Sequence, residues 1–309
     1  MTPRAPLSSR RGLWRGLASV LLLASLAGCA RPLATSGDPA SGLSPEACYD
    51  FSPLAASDRA TADSILAYGL DHEGLYTLAA GLKPISTLHQ ESFPLARPDS
   101  IPAGVRDAAP DGFAHAADRL ARLYRVADAL RCGSVQAVVV PFRRPFEGQK
   151  TLQVVAVDRQ RLDGILARDA RFWSALGITP GADPSLVVSV VEHAQAYDRW
   201  RGYGYLFGYP EAAITFFVEA GREADSTGQF VSRDFISAPV YARETGHFTW
   251  AVPQGHVLTE ADSLRLGAAA DLLGAYRLRR PAYLRADSTV RAADLLRDWA
   301  REPRRTYDF

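Results

Sequence analysis

"VQAVVVPFRRPFEGQKTLQVVAVD", residues 135–158, decides the fold class of this chain. Two runs rich in β-branched residues, 135–142 and 151–158, flank the segment "RRPFEGQK". β-Branched side chains are stiff at χ1 and pack well on a pleated surface. The intervening segment is charged and holds a proline and a glycine. The pattern predicts an antiparallel hairpin with a long, basic loop. A second pair of strand-like runs follows, "QFVSRDFISAPVYA" at 229–242 and "GHFTWAVP" at 246–253. Together these predict about four strands in one small antiparallel sheet.

Helical patterns fill the rest. Residues 56–69 and 72–81 read as two short helices, and 92–112, rich in Pro, Asp and Gly, as a long loop. After it, Phe113, Leu120, Leu123, Tyr124, Ala127 and Leu130 mark a one-faced helix that Gly133 closes. Residues 158–176 read as another helical region. Asp183 and Pro184 give the N-cap and first position of a helix whose apolar face is Leu186, Val187, Val190, Val191, Ala194 and Tyr197. Thr259 and Asp262 form an approximate capping box, and Arg277, Arg279 and Arg280 suit the negative end of that helix before Pro281 stops it. A last helix covers 289–301. The class is α+β, mostly helical, with a small antiparallel sheet of about four strands.

The oddest stretch is "RWRGYGYLFGYPEAAITFFVEAG", residues 199–221. Gly202, Gly204 and Gly208 miss the G-x-G-x-x-G spacing, and a helix precedes them where a dinucleotide site needs a strand. A tight corner between two packed helices explains the glycines better, since glycine lets another element pack close. The next helix begins after Pro210, turns Ile214, Phe217 and Val218 inward, and reaches Gly221 near its end. The rival reading makes Tyr203, Tyr205, Phe207 and Tyr209 an aromatic platform for sugar rings or an extended peptide. "GYPEAAITFF" resembles a GYP-x-C-C-x-x-FF pattern in some uncharacterised prokaryotic proteins. Ala212 and Ala213 stand where those have cysteines, so the resemblance implies no thiol or metal chemistry here.

The N-terminus carries Arg4, Arg10, Arg11 and Arg15, then an apolar run from Leu17 to Leu26. That run is too short to span a bilayer and suits the h-region of a secretory signal. It ends in Leu26-Ala27-Gly28-Cys29, which resembles the lipobox of bacterial lipoproteins. The resemblance implies covalent lipid on Cys29, with residues 1–28 as the signal, and two or more acyl chains anchor stably. Residues 29–45 are small, polar and Pro/Gly-rich and read as a flexible tether. Residues 46–309 then form a single globular domain. Ala30 is not the Asp that family rules link to inner-membrane retention, so the resemblance favours the outer membrane in a host that has one.

Removing four arginines and no acid turns the formal charge of +1 into −3. That charge disfavours nucleic acid. Only Lys83 and Lys150 are lysines, and asparagine is absent, which excludes a Cys-His-Asn triad. Cys48 and Cys132 remain in the body. An extracytoplasmic location would let them pair.

The six histidines offer little sign of a catalytic constellation. His72 opens "HEGLY", but Tyr76 stands where H-E-x-x-H needs its second ligand. His89 and Glu91 could ligate a metal as an alternating pair on an extended segment, but a solvated loop is the favoured reading. Glu192 and His193 are adjacent on a helix, so they diverge. His247 and His256 flank "FTWAVP", with Glu244 and Glu260 nearby, and are the best acid–base candidates. No nucleophile motif accompanies them. The sequence therefore predicts a lipid-anchored cell-envelope protein with a binding or structural role, partnered by the membrane and by an envelope protein or polymer. It needs no cofactor or metal beyond the lipid at Cys29. The alternative is an envelope hydrolase using His247 or His256 with a carboxylate.

Overall fold

The hairpin occupies the middle of a four-stranded antiparallel sheet. The protein is described from a computed structural model over residues 47–94, 109–145, 148–242 and 248–302, with residue 307. The signal, the tether with Cys29, and the candidates Glu244 and His247 lie outside the described residues.

The elements in chain order begin with α1 (Ala56–Asp71), α2 (Leu75–Leu78), β1 (Ile85–Pro94) and α3 (Ala109–Ala129). Strands β2 (Arg131–Cys132), β3 (Val135–Pro141) and β4 (Gln149–Asp158) follow. Then come α4 (Arg159–Arg168), α5 (Ala170–Ala175), α6 (Pro184–His193), α7 (Ala196–Leu206) and α8 (Glu211–Thr227). Strands β5 (Arg233–Ala238) and β6 (Phe248–Pro253) precede α9 (Glu260–Arg279) and α10 (Ala292–Ala300). The fold is α+β.

The main sheet runs β1-β4-β3-β2, and among the described residues β5 pairs only with β6. The second strand pair thus builds a separate two-stranded sheet, which corrects the expectation of one sheet from all four runs. The missing partners are β1 and the short β2. β4 is central, and its side chains alternate between two cores. Leu152, Val154 and Ala156 enter a core with α1, α2, α3, β6, α9 and α10, while Val155 and Val157 enter one with α4 to α7. Each Leu or Val among them, fully buried, contributes roughly 1.5–3 kcal/mol. A strand covered on both faces needs the unbroken apolar run that β4 carries.

Local chemistry sets the joints. Asp158 ends β4 and caps α4, accepting from the Gln160 and Arg161 amides and from Ser134 Oγ at 2.9 Å. Asp183 caps α6, with Pro184 in its first turn. Val188 takes the buried place expected for Leu186, which is exposed. The Thr259/Asp262 capping box opens α9. Cys48 and Cys132 form a disulfide, and the Tyr49 amide beside it donates to the Arg131 carbonyl at 2.9 Å.

The 199–221 stretch is two helices and a corner. Residues 202–206 are helical, so Tyr203 stacks on Phe207 four residues on, with ring centroids 5.3 Å apart. Gly208 turns the chain at φ +73°, and α8 starts after Pro210. A Cβ at Gly204 would lie 2.7 Å from Ile214 Cγ1, and one at Gly202 would lie 2.9 Å from Val191 Cγ2. Gly221 does not end its helix. It makes room for the Trp200 ring, and α8 runs on to Gly228.

Candidate binding cleft

An open cleft lies between α1 and β1. Its cavity of about 700 Å³ is lined by α1 residues including Thr61, Ser64 and Tyr68, by His72 and Glu73, and by β1 residues through Gln90. α1 turns Ile65, Leu66, Leu70 and Ala62 to the core and leaves Ala60, Ser64 and Tyr68, one turn apart, facing out. Tyr68 is 52% exposed, and its ring lies flat on His72, with centroids 4.0 Å apart. His72 Nδ1 contacts the Tyr68 carbonyl at 2.8 Å. A carbonyl only accepts, so Nδ1 carries the proton and the ring is held in place.

Glu73 forms the inner wall. Its carboxylate pairs with Lys83, whose side chain is fully buried. The Lys83 ammonium lies 5.1 Å from the Phe207 ring centre and 5.0 Å from that of Phe248. A buried ammonium needs such partners to offset its lost hydration. Ser86 Oγ donates to the Glu73 carbonyl at 3.1 Å and contacts Thr77 Oγ1 at 2.9 Å, which fixes the turn into β1. The aromatic corner after α7 therefore supports the cleft from behind.

On the β1 side, His89 is partly exposed, and its Nε2 lies 4.0 Å from Glu91. Glu91 is held by Arg119, whose Nε donates at 2.8 Å. The solvated loop expected around His89 and Glu91 is instead part of strand β1. Thr87 donates to Gln153 at 3.2 Å. Among the described residues, none hydrogen-bonds the side chains of Ser64, Gln90 or Tyr68.

A second cavity, about 540 Å³, lies across α1 and shares Ala60, Ser64 and Tyr68 with the first. Its far wall carries Arg280 and Arg285. Arg280 donates to both oxygens of Asp71, at 3.0 and 3.1 Å, and Tyr276 donates to Asp71 at 2.6 Å. The Asp71 hydrogen bond raises the affinity of Arg280 for its proton. Arg285 pairs with Asp63, which also accepts from the Ala293 amide at 2.9 Å.

The sequence candidates fall elsewhere. Tyr203, Tyr205, Phe207 and Tyr209 do not form an exposed platform, because a helix scatters alternate residues around its axis. Tyr205 is buried in the second core, and Tyr209 stacks near Phe248 and Trp250. Burial raises the Tyr209 hydroxyl pKa, and the Glu73 charge adds to it. Burial also raises that of Tyr203, which donates to Glu192 at 2.6 Å. His193 is exposed and contacts the Ser189 carbonyl, while Glu192 is buried and accepts from the Arg143 amide.

Among the described residues, the carboxylate partner of His256 is Asp262, at 2.9 Å, and not Glu260. Asp262 also accepts from the Thr259 amide and hydroxyl and from Trp250 Nε1. Burial opposes its ionisation, but the bonds from His256 and then Thr259 outweigh burial and lower its pKa to about 2. That carboxylate is committed to a helix start.

Among the described residues, no cluster of three or more His, Cys, Asp or Glu fits a metal ion, and no helix is long and apolar enough to cross a membrane. Comparison of the chain with protein families, curated proteins and solved structures finds no match.

Proposed function

We propose that this is a lipid-anchored envelope protein whose body binds a ligand at the cleft between α1 and β1. The observation that carries the reading is the cleft itself, open, mixed in polarity and centred on an exposed tyrosine held flat by a neighbouring ring. The acids around it act as structural partners. Glu73 holds Lys83, Asp71 holds Arg280 and Tyr276, and Asp63 holds Arg285. Such pairing suits a preorganised binding surface, where side chains already fixed cost little to order. Anchoring rests on the lipobox at Leu26–Cys29.

The test uses the full chain in detergent, sedimented with isolated envelope fragments. The wild type should pellet with the fragments. Ser64→Trp, which fills the low saddle of α1, should remain in solution. Equal behaviour of the two would overturn the binding site. Fatty-acid labelling that persists in Cys29→Ala would overturn the anchor.

A further inference from the structure

The two cavities meet over Ala60, Ser64 and Tyr68, so they are halves of one trough that crosses α1. Small side chains at residues 60 and 64 make a saddle, and Tyr68 stands beside it as an exposed ring. A ligand lying in both halves must be elongated and must pass along that ring.

The chemistry of the walls narrows its class. In the first half, the Glu73 charge is matched by Lys83. In the second, Arg280 is matched by Asp71 and Arg285 by Asp63. Asp287 also lines this half, where Thr289 donates to it from both hydroxyl and amide. Neither arginine is left over to bind a phosphate or carboxylate, which would need an unmatched cation. What the trough does present is an aromatic face with uncharged hydrogen-bonding groups around it. Tyr68 and His72 supply the stacked pair, and Ser64 and Gln90 supply a hydroxyl and an amide whose side chains no described residue hydrogen-bonds. Sugar rings have this complementary form, with an apolar face of C–H groups and a rim of hydroxyls. An amphipathic ring on the ligand matches an amphipathic ring on the protein.

We infer that the trough binds a neutral, unbranched oligosaccharide stretch of an envelope polymer, with one sugar stacked on Tyr68 and neighbouring sugars in the two halves. This rests on the cleft being the binding site, and it adds the ligand class.

The experiment titrates the full chain in detergent with chitohexaose, cellohexaose and their dimers, and follows heat of binding. A hexamer of at least one series should bind, and at least about tenfold tighter than its dimer, because only the hexamer fills both halves. Tyr68→Ala should weaken hexamer binding by about tenfold or more, and Gln90→Ala by less. Thermal melts of the variants should match the wild type, which separates lost binding from lost folding. Hexamer binding unchanged in both Tyr68→Ala and Ser64→Trp would overturn the site. Failure of all four sugars, with Tyr68-dependent binding of a neutral peptide pool, would overturn the ligand class and leave the site standing. Failure of sugars and peptides alike at millimolar concentration would overturn both.

Discussion

The segment from Trp200 to Tyr209 is dense in aromatic rings, and most of that surface is turned inward. The outer side of α1 holds one tyrosine, Tyr68, and leaves 52% of it exposed. The first region spends its rings on packing. Trp200 sits against Gly221, Tyr205 against Phe172 and Trp173, and Phe207 and Phe248 against the Lys83 ammonium. The second has few rings but places its ring beside open polar groups. Aromatic density is thus a sign of burial, while an isolated exposed ring in a polar hollow is a sign of recognition.

If that division of labour is right, substitutions behind the cleft should cost stability, and substitutions on its rim should cost only binding. The largest effect is expected at the ion pair. Glu73→Ala leaves a fully buried ammonium whose remaining partners are rings, and should destabilise by about 3–5 kcal/mol in urea unfolding. Lys83→Met should cost clearly less, because the Glu73 side chain is 21% exposed and can hydrate. The reverse order would mean that the cleft wall, rather than the aromatic corner, is the stabilising half.

Next is Gly204→Val in α7, which forces atoms into Ile214 and should cost about 1–3 kcal/mol. Gly267 in α9 is the control. A Cβ there meets nothing within 4 Å, so Gly267→Ala should stabilise by about 0.5–1 kcal/mol. A Gly204→Val variant as stable as the wild type would show that glycine at 204 is not there for close packing.

Acid should produce a smaller effect. The pKa of Asp262 in the fold, about 2, is below its ordinary value of 3.8. Its ionised form therefore stabilises the fold fully above that ordinary value. The contribution is lost as pH falls from about 4 towards 2. Asp262→Asn should flatten this part of the stability profile, measured by urea midpoints at stepped pH. An unchanged slope would remove Asp262 from the acid response. The smallest effect is expected at Tyr68. Tyr68→Ala should change stability by no more than about 0.5 kcal/mol, as exposed positions usually do. A larger loss would make Tyr68 a packing residue and erase the contrast.

Much of the architecture was legible because it follows from regular patterns. The β3–β4 hairpin, the caps at Asp183 and Thr259 and the stop at Pro281 all rest on local rules. β1 was hidden for a specific reason. Its pairing with β4 shifts register between Thr87 and His89, so the apolar residues Ile85, Leu88 and Phe93 lose the period of two. A strand with that break and with Ser, His, Gln and Glu along it reads as a loop. The cleft was hidden with it, since β1 is one of its walls. The aromatic alternation misled in the opposite direction. It has a strand's period, but Gly202 and Gly204 lie inside a helix, where residues two apart face different ways. The pairing of Lys83 with Glu73 had no local signal beyond the rarity of lysine in this chain.

The disulfide has a mechanical consequence. A pull on the N-terminal chain reaches the described fold at Cys48, which is bonded to Cys132 at the edge strand β2. The covalent ring so closed, across a separation of 84 residues, contains α1, β1 and α3. Load entering there divides at once, and part of it passes directly to the sheet. α1 cannot be peeled away from its free end, because that end is riveted. With the bond reduced, that direct covalent path from Cys48 to the sheet is lost, and the load passes first along the chain towards α1.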